Sequence, residues 1–142
     1  MKRFAVSLAA GAALAGCGGS GGLSDKEYRA KADAICAEVR SARDRLPPAS
    51  NLEELRAAAQ STIAINTDAL RKFRELDPPD DLKAPHSVIV NRLGEMLRLQ
   101  QQAVKTDATA GAMRTINLRV GQAYAALLAA AKQAKLQACR RL

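Results

Sequence analysis

The sequence predicts an all-α fold: an antiparallel up-down-up-down four-helix bundle that follows a cleaved signal peptide and a flexible tether. Three observations carry that expectation. The chain is 48% hydrophobic but only 3% aromatic, with no Trp, and it is dominated by Ala, Leu, Arg and Gln, residues that lose little freedom in a helix. Apolar residues recur at helical spacing along four segments, in alternating steps of four and three in the first, the period that lays one stripe down a helix. Turns containing Pro or Gly separate the segments. The 126 residues that follow the first 16 suffice for one domain with a single core. They divide into a tether over 17–23 and a helical domain over 24–142.

Helix one begins at Ser24-Asp25-Lys26-Glu27, which has the spacing of a capping box: the Ser24 hydroxyl accepts from the backbone three residues on, and Glu27 reaches back to the Ser24 amide. Tyr28, Ala32, Ile35, Val39, Ala42 and Leu46 then form a stripe, with Arg29, Lys31, Asp33, Glu38, Arg40 and Arg43 lying off it, so the helix is expected over 25–46 with one side buried. Pro47-Pro48 ends it, because a residue before Pro resists the α region. Ser50 or Asn51 caps helix two, whose stripe is Leu52, Leu55, Ala59, Ile63, Leu70 and Phe73. Asn66 falls on that stripe, where a buried amide that fixes the alignment of helices, or a rim position, is favoured over a ligand contact.

Leu76-Asp77-Pro78-Pro79-Asp80-Asp81 closes helix two and turns the chain. Its carboxylates lack the alternating ligands and the glycine of a calcium loop, which leaves capping and turn chemistry. Pro85 is expected in the first turn of helix three, which continues through Ile89, Val90, Leu93, Met96, Leu97, Gln100 and Val104. Lys105-Thr106-Asp107 and Gly111 mark the third turn, with Asp107 as cap. Helix four carries Met113, Ile116, Val120, Tyr124, Leu127, Leu128, Ala131 and Ala134. The rival arrangement is a three-helix core with one helix peripheral.

Before the bundle, Lys2 and Arg3 form a positive n-region, and Phe4 to Leu14 is an apolar run broken only by Ser7 and Gly11. At 11 residues the run falls short of the ~20 a transmembrane helix needs. It ends in Leu14-Ala15-Gly16-Cys17, which resembles the lipobox of bacterial prolipoproteins, a small-residue pair before an invariant Cys. The resemblance covers residues 1–17 and implies that the Cys17 sulfur receives a diacylglyceryl group and that residues 1–16 are cut away. A thiolate suits that role because it forms a stable thioether. Acyl chains contribute about 0.8 kcal/mol per buried CH₂, and two chains anchor firmly where one is marginal. The expected location is the extracytoplasmic face of the bacterial cell membrane, with the lipid on Cys17 as the attachment. Gly18-Gly19-Ser20-Gly21-Gly22 is a tether reaching on the order of 12 Å.

Export makes the two remaining cysteines, Cys36 and Cys139, candidates for a disulfide. The bond would close a loop of 103 residues. On the chain-entropy model such a loop contributes up to about 4.7 kcal/mol. Geometry sets a condition. Cys36 lies about 16 Å above the start of helix one, whereas a helix four unbroken from 112 to 139 would run roughly 40 Å and carry Cys139 near or below that start. The bond therefore requires helix four to end near Lys135 and the last residues to fold back upward, which is the expected arrangement. The alternatives are a different vertical offset of helix four, or no bond. One Cys in the first helix, Pro-rich turns and a C-terminal Cys also resemble uncharacterised small helical actinobacterial lipoproteins, a likeness that implies no activity.

The formal charge is +8, of which Lys2 and Arg3 contribute two. Residues 17–82 hold 10 basic and 12 acidic side chains, whereas 83–142 hold 10 basic and only 2 acidic. Arg92, Arg98, Arg114 and Arg119 form the candidate basic interaction face on helices three and four. A solvated surface explains the same charges more simply. The lack of interleaved aromatics or a recognisable module argues against nucleic acid.

Catalytic and metal-binding patterns are missing. His86 is the single histidine, assigned to the first turn of helix three or to solvent, and there is no Glu-x-x-His or Cys-x-x-Cys. No nucleophile elbow or phosphate-cradling loop follows a strand. No metal, cofactor or enzymatic activity is expected. The function expected is a non-enzymatic interaction or structural module of the cell envelope, meeting an envelope protein or anionic polymer through the basic face. The alternative is a helical bundle that binds a small ligand or lipid, which requires an apolar cavity larger than a methyl group.

Overall fold

Local chemistry sets the helix ends, and the computed structural model shows it for residues 22–105 and 110–142. Helix α1 spans Asp25–Asp44, α2 Leu52–Arg74, α3 Asp80–Lys105 and α4 Ala110–Gln133, and a 3₁₀ turn, Cys139–Arg141, follows. The capping box is present: the Ser24 hydroxyl accepts from the Glu27 amide at 3.3 Å, and the Glu27 carboxylate accepts from the Ser24 amide at 3.0 Å. Helix α1 stops two residues short of the expected 46. There the Leu46 amide turns back to the Arg43 carbonyl, ahead of Pro47. At α2 the cap is Asn51, whose Oδ1 accepts from the Glu54 amide at 2.9 Å, while Glu54 accepts from the Ser50 amide.

Pro85 stands in the second turn of α3, not the first, because the helix begins at Asp80. Asp80 and Asp81 sit favourably at its positive end. Asp81 is exposed, so the carbonyl that loses its donor to Pro85 can be solvated. The expected cap Asp107 lies outside the described residues, as do residues 1–21 with Cys17 and its lipobox.

The four helices alternate up and down, with the most extensive contact between α3 and α4. Tyr28, Phe73, Ile89, Leu99 and Leu136 are its largest fully buried apolar side chains. The expected α2 stripe fails at its start: Leu52 is 64% and Leu55 57% exposed. Vertical position explains this. Asn66 on α2 is bonded to Arg43 on α1 and Gln100 on α3. Leu52 stands about 21 Å beyond Asn66, whereas α1 ends at Asp44 and α3 at Lys105. The first turns of α2 run past the helices that would cover them.

Helices α1 and α4 do not close the bundle by packing on each other. Instead the C-terminal 3₁₀ turn contacts both, and the segment 134–142 fills the seam between them.

Candidate functional site

The end of α4 reverses through a Schellman motif. The Leu136 amide donates to the Ala131 carbonyl at 2.9 Å, the Lys135 amide donates to the Lys132 carbonyl at 3.1 Å, and Lys135 takes the left-handed conformation with φ 59°. A glycine is usual there, since a Cβ costs roughly 1–2 kcal/mol in that region. Burial of Leu136, fully inaccessible to solvent, offsets the strain. The fold-back expected near Lys135 is therefore present.

Past the reversal, α1 grips the chain. Arg29 donates from Nε to the Ala134 carbonyl at 3.1 Å and pairs with Asp25 at 2.8 Å. The Asp33 carboxylate accepts from the backbone amides of Gln137 at 3.1 Å and Ala138 at 2.8 Å, one oxygen to each. Cys139 then meets Cys36 in a disulfide with a Cα separation of 4.9 Å, both cysteines being 1% exposed. Arg29 and Asp33 lie off the apolar stripe of α1. Their spacing held a signal: Asp33 is one turn and Arg29 two turns before Cys36, on the edge any partner of that sulfur must approach.

Two polar groups lie in the core. Asn66, 2% exposed, accepts from Arg43 at 2.9 Å and donates to Gln100 at 2.9 Å, tying three helices at one height. This is the alignment role expected of it. His86 departs from expectation. It is buried, with Nδ1 3.1 Å from the Tyr28 hydroxyl and the two rings edge to face. It lies in the second turn of α3 and meets Tyr28 of α1 across the core. Burial holds the His86 pKa below its usual 6.5 and pushes the Tyr28 phenol up to about 12.

Beside Arg43 and Asn66 the core contains a cavity of about 20 Å³, also lined by Leu127, Leu142 and the two disulfide cysteines. That is near the size of one water molecule. The Arg43 Nε is buried there without a hydrogen-bond partner among the described residues. A second hollow, of about 700 Å³, is an open groove between α1 and α2, with Ile35, Ala42 and Ile65 on its floor and Glu38, Arg45 and Lys72 around it.

No known protein family, curated protein or solved structure matches this chain.

The four arginines of the candidate basic face are all exposed. Arg92 and Arg119 bracket one acid, Glu95, at 2.7 and 3.5 Å. The Arg92 hydrogen bond holds the Glu95 carboxyl below the usual range. Arg98 and Arg114 make no ion pair among the described residues. The structure thus leaves half of this face neutralised from within. Among the described residues no group of three His, Cys, Asp or Glu side chains stands close enough to hold a metal ion. Within the same residues no helix is long and apolar enough to cross a membrane.

Proposed function

We propose that this chain is a membrane-anchored extracytoplasmic lipoprotein, attached through a diacylglyceryl group on Cys17, whose helical domain serves the cell envelope as a non-enzymatic interaction or structural module. The observation that carries the reading beyond the lipobox is the Cys36–Cys139 bond. Disulfides persist in oxidising compartments and are rare where thiols are kept reduced. The bond supports export by a route independent of the N-terminal pattern.

The small core cavity of about 20 Å³ supports a surface role. Ligand pockets run to roughly 300–1,000 Å³, so a small molecule held between the helices is disfavoured. The α1–α2 groove, at about 700 Å³, has the volume but lies open to solvent, without the burial that holds a small ligand. The partner on this reading is an envelope protein or an anionic polymer, met by exposed basic side chains.

Growth of an expressing bacterium with a labelled fatty acid tests the anchor. The wild type is expected to incorporate label and Cys17→Ser is not. Equal labelling of the two, or none in the wild type, refutes it. Pull-downs from envelope extracts test the module: retention should fall with salt and on neutralising Arg98 and Arg114. Salt-independent retention refutes the role given to the basic surface.

A further inference from the structure

Cations without an ion pair among the described residues are not confined to the α3–α4 face. From residue 108 to the end the chain has no Asp or Glu, and six basic residues. Four of them, Lys132, Lys135, Arg140 and Arg141, fall within ten positions around the chain reversal. All four are exposed and none is in an ion pair among the described residues. The carboxylate that the segment meets is Asp33, which bonds the amides of Gln137 and Ala138 and none of these four cations. Its neighbour Asp25 is bound to Arg29.

Position singles out the partner. The chain enters the bundle at the end where α4 finishes: the Leu23 amide donates to the Asp77 carbonyl at 3.0 Å, and the Arg29 side chain links the first turns of α1 to Ala134. Cys17 precedes Gly22 by five residues, which reach at most about 18 Å when extended. A lipid on Cys17 would hold this end at the headgroups. The end is electrically two-sided. Asp77 stands on the α2–α3 turn and Asp80 and Asp81 in the first turn of α3, where Lys83 pairs with Asp80. The α4 and C-terminal flank presents the cations: Lys132 and Lys135 near the tethered end, and Arg140 and Arg141 beside the Cys36–Cys139 bond, about 16 Å along α1 from that end, so all four reach the surface when the domain lies on this flank. An anionic surface repels the first side and attracts the second, so the domain would lean onto the second.

We propose that Lys132, Lys135, Arg140 and Arg141 dock on the phosphate groups of anionic membrane lipids, a second attachment beside the lipid anchor. The partner rests on the lipoprotein reading; the charge segregation does not. Each basic residue at an anionic bilayer is worth about 1 kcal/mol, or about fivefold in binding, within a Debye length of the surface.

The test uses the full chain as isolated from a bacterial membrane, reconstituted in vesicles of phosphatidylcholine or of phosphatidylcholine and phosphatidylglycerol in three-to-one ratio. Lysine acylation is read by mass spectrometry. Lys132 and Lys135 are expected to be labelled about fivefold more slowly on the anionic vesicles, with Lys105, at the far end of α3, unchanged. High salt, or Arg140→Gln with Arg141→Gln, should restore labelling; these exposed positions leave the core intact. Equal labelling on both vesicles, or equal slowing of Lys105, overturns docking. So does protection by a soluble anionic polymer with none by phosphatidylglycerol. The same spectra report any acyl group on Cys17. Without one the anchor reading fails, while the Lys132 and Lys135 rates on anionic vesicles still decide docking.

Discussion

Replacing Asp33 tests whether α1 holds the C-terminal segment by its side chains as well as by a covalent bond. Asp33→Ala removes both acceptors at once. The Gln137 amide is exposed, and water can replace its lost bond at little cost. The Ala138 amide is partly buried, with the shorter bond of 2.8 Å to a carboxylate. Hydrogen bonds to charged groups contribute about 1.5–3 kcal/mol, so the expected loss is about 2 kcal/mol, nearly all of it from Ala138. Asp33→Asn keeps one acceptor and should lose about half as much. The disulfide limits the damage, since it keeps Cys139 beside α1 even when the amides are unpaired. For a domain of this size 2 kcal/mol corresponds to a drop in Tm of about 8 °C. Urea unfolding of the oxidised protein, followed by circular dichroism, measures the difference. A change under about 0.5 kcal/mol for Asp33→Ala, within the range of ordinary surface substitutions, would refute the clamp.

Other perturbations probe other parts of the molecule. Lys135→Gly should stabilise by about 1 kcal/mol in the same unfolding assay, because glycine adopts the left-handed conformation that lysine is forced into. Lowering the pH should destabilise the fold from about 6.5 downward: unfolded His86 takes up a proton that the buried ring resists, with a slope of at most about 1.4 kcal/mol per pH unit. Stability should be complete above that window, and His86→Gln should flatten the profile between neutrality and the onset of carboxylate protonation. Leu55→Ser should cost less than about 0.5 kcal/mol and Leu70→Ala about 2–5 kcal/mol, although both lie on one sequence stripe. Cys139→Ser opens a link spanning 103 residues and should lower stability by up to about 4.7 kcal/mol.

What could be read from the sequence was mostly local or covalent. The Ser24–Glu27 capping box involves residues three apart, and it appears as expected. The fold-back near Lys135 followed from a length argument, since a helix continuing to Cys139 would carry that sulfur past Cys36. Periodicity, however, specifies a side of a helix and not how far its neighbours extend. That is why Leu52 and Leu55 are exposed on a stripe that Leu70 and Phe73 bury. His86 was missed for another reason: its partner, Tyr28, lies 58 residues away, although Leu82 four residues before it and Ile89 three after it place it on the buried stripe of α3. Asp33 resembled any acid on a solvent side until the segment that needs its carboxylate was placed beside it. The Arg92 to Arg119 face was legible as charge, but its sharing of Glu95 depends on how α3 and α4 align.

The seam between α1 and α4 has a consequence for how the molecule is made. A ribosome delivers α1 long before residues 134–142, and those later residues are what complete the surroundings of α1. Until they arrive, Cys36 is a lone thiol, and Ala32, whose carbonyl faces the Cys139 sulfur at 3.6 Å, is uncovered. Contacts so distant in sequence form late and leave apolar surface open meanwhile. A chain truncated after Gln133 would keep every long helix and still lack its closure. It would leave bare the side of α1 that the segment covers, although its helix content would be almost that of the finished protein.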